Sequence, residues 1–316
     1  MWNPLGPVRR RRRRTGPRPL ILMYHRVARP RVDPWELAVD PDRFEQQLAV
    51  LRRTRHVLPM SEFAVRLIAC ELPADAVAVT FDDGYADNLH VAMPRLQAAA
   101  VPALLFLMTG TVGTRAEYWW DELARLILLH RGAAECEVSI AGQQRRFTVP
   151  ECSGTRDAVY RDIWRRVRDI PASERARVMD QLRQRLDPPS ADPDDFPMSE
   201  QEVVTCVASG VFEIGCHTVT HAVLPSVGAA ERENELVESR RACERLVNRR
   251  VEGFAYPHGE HDAPSRIAVR ECGFSWACSD SGPPLSPAID PYAVSRVAVR
   301  NWDASAFERV IHEMSA

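Results

Sequence analysis

Short apolar runs alternate along this chain with segments whose apolar residues recur every three or four positions. That alternation predicts parallel strands joined by helices. Leu20-Ile21-Leu22-Met23-Tyr24 is the first run, and His25-Arg26 stand at its C-terminal end. Pro41-Asp42-Arg43-Phe44 opens an amphipathic helix with Phe44, Leu48 and Leu51 on one face. Val57-Leu58-Pro59 reads as a short strand, Ser61-Glu62-Phe63 as a helix start, and Ala76-Val77-Ala78-Val79 as a buried strand. A helix over 90–100 and an apolar strand over 103–107 follow. Much later the rhythm returns, with strands over 211–216, 251–256, 273–277 and 296–299. Helices over 231–247 and 266–272 separate them, and a helix over 303–313 closes the chain. A sheet of this kind, open or closed into a barrel, gathers functional groups at the C-terminal ends of its strands.

From about residue 112 to 199 the rhythm breaks. Tyr118-Trp119-Trp120 leads a helix through Leu123, Leu126 and Leu129. A hairpin is predicted over 135–140 and 145–149 across Gly142, then helices over 158–168 and 173–186, then a proline- and aspartate-rich loop. Ser199 and Glu202 form a capping-box pair that restarts the pattern. We read the stretch as an α-rich insertion within one domain, of the kind that covers or shapes a site.

A length of 316 residues can bury one large α/β core. A net charge of -2 gives no reason to expect a nucleic-acid partner. Every basic side chain is arginine, which excludes lysine chemistry such as a Schiff base. The eight cysteines are scattered without a Cys-x-x-Cys pair, the pattern of small buried hydrophobes in a reducing compartment. Arg9 to Arg14 are followed by too little apolar sequence for a secretory signal, so residues 1–19 read as a disordered basic tail. No stretch is long enough to span a membrane, and a cytoplasmic location is the expectation.

The chemistry concentrates at Thr80-Phe81-Asp82-Asp83-Gly84-Tyr85. Two carboxylates at the end of a buried strand are costly unless something binds or uses them. By itself Asp-Asp-Gly could be an ordinary turn, and each histidine further on a hydrogen-bonded polar residue. The balance changes with His217-Thr218-Val219-Thr220-His221, because two histidines at this spacing can share one metal ion. Asp83, His217 and His221 offer one oxygen and two nitrogens, a ligand set for a divalent ion such as zinc, with positions left open for water and substrate. Asp82, beside that set, is placed to take a proton from the water. Trp119, Trp120 and Trp302 are candidates for stacking on a sugar, with one of the Trp119-Trp120 pair expected in the core.

These two motifs, together with Phe254-Ala255-Tyr256-Pro257-His258-Gly259, resemble the first three motifs of the polysaccharide deacetylase family (carbohydrate esterase family four, the NodB-homology domain). Leu22-Met23-Tyr24-His25-Arg26-Val27 is similar to the opening strand of one bacterial branch. The resemblance runs from about residue 20 to 299, apart from the insertion. It implies a distorted (β/α) barrel of about seven strands, spanning 20–316 as the catalytic domain. It also implies metal-dependent removal of an acyl group, usually acetyl, from an amino-sugar or glycan. By the same resemblance Asp82 is the base, Asp83, His217 and His221 hold the metal, and a backbone N–H near His258 steadies the oxyanion. Tyr85, Tyr256, Pro257 and Trp302 become substrate-binding candidates.

The sequence departs from the family pattern in three places. Ala255 stands where an arginine often orients the base, with Arg296 or Arg300 as candidate substitutes. The fourth motif's Asp-Trp pair is not recognisable over 274–282, and no Leu-x-His lies near 296–302 to supply a general acid. His25 is the preferred stand-in and His258 the next, while His261 and His312 are expected in solvent. The reading is a cytoplasmic deacetylase of an N-acetylated sugar or glycan precursor, taken into a restricted pocket. Two rivals remain at this point: a metal-dependent deformylase or amidase on a non-sugar substrate, and a glycan-binding protein that has lost turnover.

Overall fold

The computed structural model describes residues 17–192, 195–280, 282, 285 and 289–315. The arginine run Arg9–Arg14 and most of the expected tail lie outside them. Parallel strands form a nearly closed barrel: β1 (Leu20–Tyr24), β2 (Ala76–Phe81), β3 (Ala103–Leu107), β4 (Phe212–Cys216), β5 (Gly253–Ala255) and β6 (Trp276–Ser279). The last stave, β7, comes in two pieces, Val294–Ser295 and Val297–Ala298. The first piece pairs with β6 through Cys278↔Val294, and the second with β1 through Leu22↔Val297 and Met23↔Ala298. One short segment thus joins the two sheet edges, which leaves the barrel almost without the exposed edges that open sheets must otherwise protect. At the break between the pieces stands Arg296.

Alternation along each strand sorts side chains to two faces. Leu20, Leu22 and Tyr24 of β1, Val77, Val79 and Phe81 of β2, and Leu105 and Leu107 of β3 join the large core under the helices. Ile21, Ala76, Ala78, Leu104 and Phe106 point to the other face, with Ala255, Trp276 and Cys278. The helix Met60–Ile68 packs Met60, Phe63, Ala64 and Leu67 on this second cluster. Residue size is fitted closely there. A Cβ at Gly253 would lie 2.2 Å from the Trp276 ring, so only glycine lets that indole fill the interior.

The stretch between β3 and β4 builds a core of its own. Helices Trp119–Leu128, Arg156–Val167 and Ala172–Arg183 enclose an antiparallel hairpin, Ala134–Ile140 with Gln143–Val149. Its buried cluster includes Leu123, Ile127, Val138, Tyr160, Val178 and Leu182. The expected hairpin and helices form within a few residues of their predicted ends, and Ser199 and Glu202 make the capping box. Two features depart from the sequence reading. Arg26–Val27 and Ala38–Val39 form a small parallel ladder that presents Trp35, and the helix expected over 90–100 begins earlier with a wide turn, Asn88–Ala92. No helix among the described residues is long and apolar enough to cross a membrane.

Candidate active site

The C-terminal ends of β1, β2, β4, β5, β6 and β7 meet around a cavity of about 270 Å³. They deliver His25, Asp82 with Asp83, His217 with His221, His258, Asp280 and Arg300 to its wall. Trp35, from the loop after β1, and Trp120, Trp164 and Arg168, from the stretch between β3 and β4, complete the enclosure. Arg168 Nη1 meets Glu260 at 2.7 Å and ties that stretch to the turn after β5.

Asp83 sits at φ +72°, a backbone region costly for a residue with a Cβ. Its carbonyl is held by the Met108 N–H at 3.2 Å and the Tyr118 hydroxyl at 3.1 Å. Gly84 follows at φ +97°, a conformation that strains any residue with a Cβ, and a Cβ there would also press on Leu107 at 2.8 Å. The result is that two consecutive carboxylates, Asp82 and Asp83, are both buried yet both reach the cavity.

Those carboxylates have different surroundings. Arg296 donates to Asp82 Oδ1 from Nη1 and to Oδ2 from Nη2, each at 2.7 Å. It also donates to Asp280 at 2.9 Å and lies over the Phe106 ring at 5.2 Å. Burial pushes the Asp82 carboxyl up, but Arg296 and His217 more than offset it and hold the group below its ordinary range. Asp280, half-buried and next to Asp82, is pushed up to about 6 by loss of solvation despite Arg296.

Asp83 has no such cation. Burial and the neighbouring Asp82 push its carboxyl far above the ordinary value, and Oδ1 has no hydrogen-bond donor among the described residues. That oxygen lies 3.7 Å from His217 Nε2 and 3.5 Å from His221 Nε2. The two Nε2 atoms face each other at 3.1 Å. His217 Nδ1 donates to the Ala255 carbonyl at 2.8 Å, which leaves the lone pair on Nε2. Burial lowers both imidazoles, so neither readily supplies a compensating proton. A buried acceptor oxygen and two converging imidazole nitrogens make a donor set that a divalent cation would satisfy, and these residues fit one.

A model of the family described as polysaccharide deacetylase matches residues 70–130 and 181–277, together half of the sequence. The chain belongs to the polysaccharide deacetylase family. The matched residues of this deacetylase-family chain include Asp82, Asp83, His217, His221 and His258. Residues 131–180, which hold the hairpin, one helix and most of a second, are skipped, and β1 and β7 lie outside the match. No curated protein matches the sequence. Among solved structures, IcaB from Ammonifex degensii is 20% identical, with 95% of this chain and 98% of that one covered and a TM-score of 0.62. PplD from Streptococcus pyogenes, solved with acetate, is 17% identical over 94% and 99% of the two chains, also at 0.62. A de-N-acetylase from Aggregatibacter actinomycetemcomitans is 14% identical over 93% and 99%, at 0.55. At these identities the likeness is one of fold.

The structure places the sequence candidates unevenly. His25 and His258 reach the cavity; burial lowers His25 to about 4 and His258 to about 3. Of the two arginines considered as substitutes, Arg296 grips Asp82, whereas Arg300 donates to the carbonyls of Trp35 and Glu36. The four substrate-binding candidates lie away from the cavity wall. Tyr85 is fully buried, its hydroxyl donating to Asp121 at 2.6 Å and accepting from the Trp120 indole at 2.8 Å. Tyr256 is fully buried and donates to the Tyr292 carbonyl at 2.9 Å. Pro257 is buried in the turn, and Trp302 packs on the main core. None of the four lines the cavity. Nor are all the turn's N–H groups open to an oxyanion, since those of Gly259 and Glu260 bond the carbonyls of Tyr256 and Pro257.

Asp280, Trp35 and Trp164 are among the lining residues that escaped the sequence reading. Asp280 was hidden because the strand before it runs to Ser279, beyond the apolar stretch that suggested an end at 277. Trp35 sits in a loop with no periodic signal, and Trp164 reads as one more apolar position of an amphipathic helix.

Proposed function

We propose that this chain is a metal-dependent deacetylase that removes the N-acetyl group from an amino-sugar residue of a glycan. The observation that carries the reading is the unequal treatment of Asp82 and Asp83. One is ion-paired and held ionised, while the other faces two imidazole nitrogens without a cation of its own. In this reading Asp83, His217 and His221 hold a divalent ion, zinc being the expected one. Bound there, such an ion polarises an acyl carbonyl and makes water more acidic.

The chain's own residues do the rest. Asp82, kept ionised and fixed in direction by Arg296, takes a proton from the water that attacks the acyl carbon. A C–O bond forms, the C–N bond breaks, and the proton passes to the departing nitrogen, leaving acetate and a free amine. His25 is assigned to that return, with His258 as the second choice, because both share the cavity with Asp82. Trp35, Trp120 and Trp164 limit the water that can enter and leave room for little more than one sugar residue at a time. This supports action on a small glycan or a chain end.

The pairing of Asp82 with Arg296 also bears on the reading of a silent glycan binder. The absence of an arginine at position 255 favours that rival, and the two-point pairing of Arg296 with Asp82 weighs against it. The test is acetate release from N-acetylglucosamine oligomers, run beside formamide and cyclic-imide substrates. Release from the oligomers that disappears in Asp82→Asn supports the deacetylase. Turnover of the non-sugar amides alone would replace it with the amidase, and binding without any turnover would favour the silent binder.

A further inference from the structure

Between the two histidines the chain runs Thr218-Val219-Thr220, and charged side chains from outside the cavity hold this loop on two sides. Glu235, on helix Ala229–Val247, is 4% exposed. Its Oε2 accepts from the N–H groups of Val219 at 2.7 Å and Thr220 at 2.9 Å, and its Oε1 from the Thr220 hydroxyl at 2.7 Å. Arg175, on helix Ala172–Arg183, is 5% exposed. Its Nη2 donates to the Thr220 carbonyl at 2.9 Å, its Nη1 to the Arg168 carbonyl at 3.3 Å, and its guanidinium lies 5.0 Å over Trp119. The carbonyls of Thr218 and Val219 accept from Thr109 and Gly110. Five of the six polar backbone groups of Thr218–Thr220 are thus engaged by three separate elements.

Such holding answers a need. Thr218 and His221 lie at φ +65° and +58°, a region that non-glycine residues leave unless their surroundings fix them there. Arg175 is itself an expensive device. It is a buried guanidinium with no carboxylate at ion-pair distance among the described residues, and burial lowers it to about 10. Its shorter hydrogen bond goes to the Thr220 carbonyl, next to His221.

We propose that Arg175 and Glu235 are positioning residues for His217 and His221. They fix the intervening loop so that the two imidazole nitrogens converge, which makes the helical stretch between β3 and β4 part of the metal site as well as a wall of the cavity. The inference rests on the metal reading above.

The test uses the full chain and the affinity for Zn²⁺ and Co²⁺, measured against a competing chelator, with the visible spectrum of the Co²⁺ form. Arg175→Ala and Glu235→Ala are each expected to weaken binding by about 10-fold or more, the effect of losing partners that orient metal ligands, and to alter the Co²⁺ bands. Glu235→Gln recovers the affinity, because its amide oxygen keeps both N–H bonds and its NH₂ can donate to the Thr220 hydroxyl. Val178→Ala is the control: it lies on the same helix as Arg175, fully buried among the neighbouring apolar residues. It lowers the thermal midpoint and leaves affinity and spectrum unchanged. Wild-type affinity in Arg175→Ala, or an equal loss in Val178→Ala, overturns the proposal. Should Arg175→Ala not fold, a Glu235→Gln as weak as Glu235→Ala overturns it instead. A wild type that binds neither ion overturns the metal reading, and the proposal with it.

Discussion

Arg296 reaches Asp82 from the break in the last barrel stave and meets both carboxylate oxygens at 2.7 Å. The interruption that closes the barrel therefore also supplies the cation that pairs with Asp82. Its neighbours on either side, Ser295 and Val297, pair with different strands, so a shift of this segment would disturb the barrel and the carboxylate together.

Removing Arg296 should change the pH dependence in a defined direction. Burial raises the Asp82 carboxyl and Arg296 is the largest influence lowering it. In Arg296→Met the largest influence opposing burial is gone, the carboxyl rises, and as pH falls a base that works only when ionised is protonated sooner. The acid limb of the kcat/KM profile is expected to move upward. Arg296→Lys, which keeps the charge and loses the two-point geometry, should move it less. Breaking a buried pair costs about 3–5 kcal/mol, so the thermal midpoint of Arg296→Met should fall as well.

Metal removal tests the trio directly. His217→Ala is expected to lose bound Zn²⁺, whereas Asp82→Asn keeps it. Stripping the wild type with a chelator should lower its thermal midpoint. An ion at 100 times its Kd adds about 2.7 kcal/mol to the folded state. Unchanged metal content in His217→Ala would remove this histidine from the site.

Much of this arrangement was legible in the sequence, and the reason is local. Asp82-Asp83-Gly84 and His217-x-x-x-His221 carry their chemistry within a few adjacent residues, at ends of strands whose apolar runs are plain. Short-range patterns also gave the hairpin across Gly142 and the cap at Ser199. What stayed hidden depends on closure of the barrel. Arg296 and Arg300 are both candidates in the sequence, but nothing near either indicates that it is Arg296 that lies beside Asp82, 214 positions away. The same holds for Asp280, Arg175 and Glu235, each of which acts on a group supplied by another element. Tyr85 and Tyr256 are adjacent to the motifs in sequence, yet both lie just beyond the strand ends and turn into the protein, where their hydroxyls bond Asp121 and the Tyr292 carbonyl.

The mouth of the cavity gives a prediction about binding. Trp164→Ala should raise KM for an N-acetylated oligomer and leave kcat largely intact, as expected for a residue that contacts substrate equally before and during reaction. A fall in kcat at constant KM would place Trp164 in a different role.

Tyr85 should behave as a structural residue. Tyr85→Phe removes a hydroxyl bonded to Asp121 and Trp120 and leaves buried polar partners behind. A loss of about 1–3 kcal/mol in stability is expected, with KM unchanged. A raised KM at unchanged stability would restore Tyr85 as a substrate contact.

The central claim is that Asp82 is the base beside a metal-holding trio. Acetate release from N-acetylglucosamine oligomers, measured with metal content on the same samples of wild type and Asp82→Asn, tests it most directly. The account predicts about one bound ion per chain in both proteins and a loss of roughly 10²–10⁴ in rate for Asp82→Asn. Equal rates in the two proteins, with the ion retained, would contradict it.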